Sequence, residues 1–510
     1  MGHRAAAVGR RATAVAQRPG GSVDRHDAVA RRLGCARHAI SWSTVSGGLL
    51  AVLACRHRHR VRLIIPCRNE TALAPASLVL NQYFSPDIHS RGGHLSPVGA
   101  SGILGLVSMG IKRWSLNPNA HRRATTSEER RIVSLQSATQ ALVEIRRWSG
   151  YAPTPLRDLG ALAAQLGVHE IHYKDESTRF ALGSFKALGG AYGAARQVQR
   201  MLRQRNGQDV SISELFTGRH AREIQDITLC CATDGNHGVS VAFAARRMNC
   251  RCTIFMHERA SKARENLMLD LGATVHRTPG TYDDSVRIAR EAVGNPGWVL
   301  IADTTVETFE QVPAEVIQGY TVMLLEVLDQ DPDTLPTHVF VQGGVGGLAA
   351  AVAGFLAERF GEHRPTVIIV EPETAACLLA SSNAGRASRI EGNLHTIMGM
   401  LECGEASSIA WTILKQRADA FITIDDETAV QTHAFLTQGN AGETLDLGYS
   451  GAAGVAGLMA AITDPELAAA LRLDKASRIL TFGTEMGDGG RESNLTRTAK
   501  PPYENRLKGE

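Results

Sequence analysis

From Ile111 onward the sequence predicts an α/β fold, a mostly parallel sheet covered by helices. Three observations carry that prediction. Short apolar runs at 226–233, 250–256, 299–303, 337–342, 366–370 and 478–482 alternate with stretches of helical character, the pattern of strands joined by crossover helices. The chain has 510 residues and 44% hydrophobic content, enough to bury a sizeable core in two or three domains. Three loops crowded with glycine and polar residues each follow an apolar run, and open α/β sheets hold their ligands at the carboxyl ends of strands.

Residues 1–110 stand apart. They contain 14 arginines, no lysine and four acids (Asp24, Asp27, Glu70 and Asp87), so this segment carries about +10 in a chain of formal net charge +4. No period of 2 or 3.6 persists there, and this Arg-rich extension reads as poorly structured. An Arg-rich, acid-poor start is compatible with an organelle transit peptide, but the scattered His and Pro argue against one, and a cytoplasmic location is expected. The apolar stretch 47–55 is too short to span a bilayer, so no membrane partner is expected. The remainder, at about −6, has neither a basic stripe nor a nucleic-acid motif, which excludes a nucleic-acid partner. Nine cysteines include the adjacent Cys230-Cys231 and the close Cys250-x-Cys252 but no paired CxxC, so no metal is expected and the thiols read as reduced. Cys377 and Cys403 flank a Gly/Ser/Asn-containing segment, 381–393, that reads as a mobile flap, and they are expected to pair under oxidising conditions.

The elements follow in order. A strand is expected at 171–174 and a helix at 185–204, then a strand at 226–233 and a helix from Val239 to Met248. Next come a strand at 250–256, a helix at 261–271, a strand from Val275, a helix at 282–293 and a strand at 299–303. A helix at 312–328, a strand at 337–342, a helix at 347–360 and a strand at 366–370 lead to a Gly/Ala-rich helix at 451–463 and a last strand at 478–482.

Lys186 is the residue that most needs explaining. It opens an apolar, small-residue helix, Lys186-Ala-Leu-Gly-Gly-Ala-Tyr-Gly193, with no further charge until Arg196. A partly buried amine follows, and burial disfavours the ammonium form, so Lys186 reads as a nucleophile or base usable near neutrality. The competing reading is a lysine snorkelling at a helix start.

The loop Gly343-Gly344-Val345-Gly346-Gly347 brings backbone amides and a helix N-terminus to one place, a phosphate cradle. Gly344-x-Gly346-x-x-Ala349 also fits a dinucleotide fingerprint, with Glu371 at the end of the next strand spaced to hold a ribose. Thr233-Asp234-Gly235-Asn236-His237-Gly238 offers a carboxylate, an amide and an imidazole in one turn, with a helix cap as the bland alternative. At Thr481-Phe482-Gly483-Thr484-Glu485, a hydroxyl and a carboxylate at a strand end could hold a ring nitrogen.

Taken together, Ser184-Phe185-Lys186, the turn 233–238 and the glycine loop resemble the signature of the fold-type II pyridoxal-phosphate enzymes, the threonine dehydratase and tryptophan synthase β class. Within that class the chain is similar to the diaminopropionate ammonia-lyases. The similarity is carried by Tyr151-Ala-Pro-Thr-Pro-Leu156, Lys174-Asp-Glu-Ser-x-Arg-Phe180, Tyr282-Asp-Asp284, Ile317-Gln-Gly-Tyr320, Glu371-Pro372 and Thr396-Ile-Met-x-x-Leu-x-Cys-Gly-Glu405. It covers roughly 111–510.

The resemblance implies two open, mostly parallel sheets covered by helices, tryptophan synthase β-like. Residues 111–200 and 315–510 would form a large cofactor-binding domain and 201–314 a small α/β domain. It implies pyridoxal 5′-phosphate as cofactor, a small amino-acid substrate and a homodimer. Lys186 would carry the cofactor, Asn236 would bond its 3′-hydroxyl, and Gly343, Gly344, Val345, Gly346 and Gly347 would hold its phosphate. Asp234 matches the second catalytic base, and Asp303 an acidic residue lining the substrate site. The expected reaction is α,β-elimination of D- and L-2,3-diaminopropionate to pyruvate and two ammonia.

Two departures stand out. Tyr449-Ser450-Gly451-Ala452 replaces a Glu-Ser-Gly-Ala pattern, and the turn after the last strand has gained a residue and lost its serine, which leaves Thr484 as the ring-nitrogen candidate. A serine/threonine dehydratase is the second reading, disfavoured by Asp234, since such enzymes need one base. A catalytically silent phosphate- or nucleotide-binding protein is the third.

Overall fold

The computed structural model describes residues 110–233, 235–305, 311–333 and 335–487, and the backbone of two strands further upstream. Met1–Leu95 and Ser96–Glu510 are separate compact units. In the first, β1 (Ala39–Val45) and β2 (Gly48–Ala54) pair antiparallel, from Ala39 opposite Ala54 to Val45 opposite Gly48. The hairpin lies within the Arg-rich extension. Ile40, Trp42, Thr44 and Val45 precede a Ser46-Gly47 dipeptide and Val52 follows it, strand-forming residues on both sides of a turn signal. The other residues of 1–109 lie outside the described ones.

The second unit contains two sheets. The larger has the order β3-β12-β11-β10-β13-β5-β4, built from β3 (Ile111–Leu116), β4 (Leu156–Asp158), β5 (Glu170–Asp175), β10 (His338–Gln342), β11 (Thr366–Pro372), β12 (Ala420–Ile424) and β13 (Arg478–Gly483). Its five inner strands are parallel, and β3 and β4 add antiparallel edges. The smaller, β8-β7-β6-β9, is parallel throughout, from β6 (Thr228–Ala232), β7 (Arg251–His257), β8 (Thr274–Thr278) and β9 (Trp298–Leu300). Every residue of β6, β10 and β12 is buried, as expected of parallel strands with helices on both faces.

The expected helix at 312–328 is two helices, Gln311–Tyr320 and Val322–Gln330, broken where the Thr321 hydroxyl donates to Gln318 O at 2.6 Å. The segment read as a flap is helical in its first residues, since Ser381 lies fully buried inside the helix Cys377–Ala384. Cys377 and Cys403 are both buried and are not joined by a disulfide.

The small residues after Lys186 have a packing reason. The helix Lys186–Asn206 lies against Gln311–Tyr320 so closely that Gly189 and Gly319 meet backbone to backbone. A methyl group on Gly189 would overlap the Tyr320 ring and stand 2.6 Å from Val316 O, and one on Gly319 would overlap Leu188 O and stand 2.8 Å from Gly189 Cα. On the other side of the helix, a side chain at Gly190 would collide with Ser240. Upstream, the segment from β5 to Lys186 is held by buried charges. Arg179 donates to Glu176 at 2.8 Å and to Glu326 at 2.7 Å, and Lys174 Nζ lies 2.8 Å from the same Glu326 carboxylate, all at 1% exposure or less. Phe180 (φ 51°) and Ala181 (φ 58°) occupy the left-handed region, a strained turn that leads the chain into the lysine.

A Gly319→Ala substitution is expected to lower the unfolding free energy by about 1–3 kcal/mol, because backbone atoms on the facing helix cannot move aside as a side-chain tip can. The check is a denaturant melt, where the midpoint falls at unchanged slope; a midpoint equal to the parent's contradicts this packing.

Candidate active site

Lys186 is the first residue of its helix, and its Nζ donates to Asp303 Oδ2 at 2.6 Å. The ammonium also stands 5.7 Å from the centre of the Phe185 ring and 5.8 Å from that of Tyr320. Burial alone would lower the amine, but the Asp303 carboxylate outweighs it and holds Lys186 above its ordinary value. Burial of Asp303 favours the neutral acid, yet the His237 ring and the Lys186 ammonium bring its carboxyl down to about 2. The sequence-based expectation of an amine neutralised by burial is therefore corrected. Its partner lies 117 residues away and three residues beyond the end of β9, in a segment where the sequence suggested strand.

The second loop holds the neighbours of this pair. The helix Asn236–Met248 begins three residues before the expected Val239, so Asn236 and His237 belong to its first turn. The Thr233 hydroxyl accepts from the amides of Gly235 (2.9 Å) and Gly238 (3.1 Å) and closes the turn. His237 Nε2 donates to Ile301 O at 2.7 Å, and its Nδ1 lies 3.8 Å from Asp303 Oδ2. Asn236 Nδ2 donates to Glu485 Oε2, while Arg264 donates to Asn236 Oδ1, so the amide orientation is fixed from both ends. Asp234 lies outside the described residues.

The glycine loop runs from β10 into the helix Gly347–Phe360, with Gly346 at φ 100°, a conformation that favours glycine. Its first residue has a separate explanation. The Gly343 amide donates to Val370 O at 2.8 Å, and a methyl group there would press on Glu371 and Ile369, each at 2.8 Å, so Gly343 is glycine for packing. Glu371 is fully buried and accepts the amides of Leu378 and Leu379, both at 2.8 Å. A carboxyl group whose two oxygens are committed to a helix start is not available to a ribose, which removes the support for the dinucleotide reading.

Phe185, Lys186, Asn236, His237, Asp303, Gly344 to Gly347 and Thr484 line one cleft. Of the residues singled out in sequence, the structure thus gathers Lys186, Asp303, Asn236, Thr484 and four residues of the glycine loop, and sets Gly343 beneath them. A lysine amine, a run of glycine amides at the start of a long helix and a hydroxyl in one cleft suit an aldehyde-bearing phosphorylated ring. Tyr449, its ring tilted by 40° to that of His433 at 4.5 Å between centres, lines a wider adjoining cleft with Tyr282, Asp283 and Arg389. Arg264 escaped the sequence reading altogether: Lys262-Ala-Arg-Glu265 looks like any surface helix turn, yet Arg264 is 2% exposed. Glu485 was noted only as an alternative ring contact, and its carboxylate is committed to Asn236 and Arg264.

Comparison with known proteins points to the same class of cofactor. Residues 148–485 match the family model described as "Pyridoxal-phosphate dependent enzyme". A diaminopropionate ammonia-lyase of Salmonella typhimurium is 35% identical over 350 residues, 67% of this chain and 86% of that protein. The crystal structure of the Escherichia coli diaminopropionate ammonia-lyase, in complex with an aminoacrylate-PLP azomethine reaction intermediate, superposes with a TM-score of 0.66 at 31% identity, covering 74% of this chain and 95% of that one. A D-serine dehydratase of Shigella dysenteriae is more distant, 25% identical over 287 residues, 54% of this chain and 63% of that protein.

Burial pushes the Glu371 carboxyl up to about 8, against the pull of its two amide donors. A carboxyl raised on folding contributes stability that is fully present below its unfolded value, about 4.3, and is lost as pH rises through the folded value. Thermal stability is therefore expected to fall between about pH 5 and about pH 8.5, and Glu371→Leu to flatten that part of the profile. Calorimetry across this range checks it; a Glu371→Leu profile parallel to the parent's contradicts it.

Proposed function

Because the chain belongs to the pyridoxal-phosphate-dependent enzymes, and within them to the diaminopropionate ammonia-lyase family, we propose that it converts 2,3-diaminopropionate, D and L, with water to pyruvate and two ammonia. Its cofactor is pyridoxal 5′-phosphate and its substrate a small amino acid. The observation that carries the reading is the Lys186–Asp303 pair at 2.6 Å in the cleft of the glycine loop. When bound, the cofactor supplies an electron sink for the carbanion left by loss of the α-proton.

The chain's own residues supply binding and proton transfer. Lys186 Nζ is the amine that bonds the cofactor's aldehyde carbon and, once released, takes the α-proton of one enantiomer. Asp234 is assigned the proton of the other. Asp303 holds Lys186 in place and lines the substrate side. Asn236 Nδ2 serves the 3′-hydroxyl, an orientation supported by Arg264 on its Oδ1. The amides of Gly344, Val345, Gly346 and Gly347 and the helix start behind them hold the phosphate, with Gly343 in a packing role. Thr484 is the ring-nitrogen partner. The division into a large domain, 111–200 with 315–510, and a small one, 201–314, belongs to the same reading, as do a homodimer and a cytoplasmic location. Among the described residues no single helix is long and apolar enough to cross a membrane.

Lys186→Ala is expected to abolish the lysine–cofactor absorbance and ammonia release together; a borohydride-fixed cofactor on another lysine contradicts the assignment. Asp234→Asn is expected to keep the cofactor, lose turnover of one enantiomer, assigned as D, by about 10²–10⁴-fold, and retain part of the L activity. Pyruvate and ammonia assays on D- and L-diaminopropionate and on serine read the outcome. Equal losses on both enantiomers place Asp234 in a shared role.

A further inference from the structure

An ammonium cannot bond an aldehyde carbon, because its nitrogen has no free electron pair, and Asp303 keeps Lys186 in that form. A proton must therefore leave Nζ, whose side chain is 22% exposed at the cleft while the Asp303 side chain that holds it is 10% exposed. Two neighbours cannot take it: the Tyr320 hydroxyl and the Cys231 thiol are both acids, and burial pushes each further up and keeps it protonated. His237 differs. Its Nε2 hydrogen is assigned by the carbonyl of Ile301 at 2.7 Å, so in the neutral ring Nδ1 carries the lone pair. Nδ1 is buried and has no hydrogen-bond partner among the described residues. It lies 3.8 Å from Asp303 Oδ2, the same oxygen that Lys186 Nζ holds. Gly190 of the lysine helix lies close beside the ring, since a methyl group there would stand 3.1 Å from Nδ1.

We propose that His237 receives the Lys186 proton by way of Asp303. The Nζ–H bond breaks with its electron pair left on nitrogen, the proton passes to Oδ2, and Asp303 yields a proton to Nδ1. Neutral amine, carboxylate and imidazolium result. One positive and one negative charge are present before and after, so no buried charge is left unpaired. Burial and the Lys186 charge hold the ring neutral at the outset, and Asp303 opposes them. Once the amine is neutral its repulsion vanishes, and Asp303 is the charged group among the described residues that then bears on the ring. His237 acts through Asp303 and does not itself touch the reacting atoms.

The inference rests on the reading of Lys186 as the aldehyde-bonding amine, and the test separates the two. Pyridoxal 5′-phosphate is added to the full chain freed of cofactor, and bonding to Lys186 is followed by absorbance and by borohydride fixation from about pH 6 to about pH 10. The parent's rate is expected to vary little around neutrality. His237→Asn and His237→Gln are expected to be slower there by about 10²-fold or more, rising about tenfold per pH unit until the gap closes, because solvent must now take the proton. A loss of structure lowers the rate at every pH without changing that shape. If both variants fold poorly, the parent's rate in mixtures of H₂O and D₂O decides: a curved dependence marks two protons in motion, and a linear one overturns the relay. Variants with the parent's rate and profile overturn the relay and leave the lyase reading standing, whereas a parent that never bonds the cofactor overturns both.

Discussion

The close approach of the helices Lys186–Asn206 and Gln311–Tyr320 is the constraint on which the site depends. Glycine faces glycine there, so the spacing is set by backbone atoms, which have no rotamers to relax into. Lys186 begins one of these helices and Tyr320 ends the other, so the distance between them is a property of the crossing. Asp303 then meets the amine from the small-sheet side, and His237 closes the group from the first turn of the helix packed on Gly190.

The approach to Lys186 is held in a different way. Lys174, Glu176, Arg179 and Glu326 form a buried set of two positive and two negative side chains, with the Thr154 hydroxyl and carbonyl among their partners. Such a set contributes little net stability, but removal of any one member leaves a buried charge uncompensated, at about 3–5 kcal/mol. That cost keeps Phe180 and Ala181 in their left-handed conformations and so fixes the direction from which the chain enters the lysine helix.

Local patterns were readable in the sequence and long-range pairings were not. The helix after Lys186, the glycine loop and the Asn236 turn announce themselves through composition within a dozen residues. The Lys186–Asp303 contact spans 117 residues and Asn236–Glu485 spans 249, and neither partner is distinguished by its own neighbours. Asp303 was named as an acidic residue of the site, but its pairing with Lys186 was not foreseen, so the direction of the Lys186 shift came out wrong: burial was legible, and the contact opposing it was not. Glu371 and Gly343 were misjudged for the same reason, since a ligand-facing carboxylate or glycine and one committed to packing look alike until the next strand is placed beside them. Strand β12, five buried residues, escaped because so short an apolar run does not separate from a helix segment by periodicity.

The edges of the large sheet bear on how copies of this chain can meet. Its five inner strands each have a neighbour on both sides, while β4 at one end is three residues long and β3 at the other carries the exposed Lys112 and Arg113. A very short edge and a charged one are both poor templates for a further strand. Neither end of this sheet therefore invites a strand from a second copy, which closes the simplest route to edge-to-edge pairing at the large sheet.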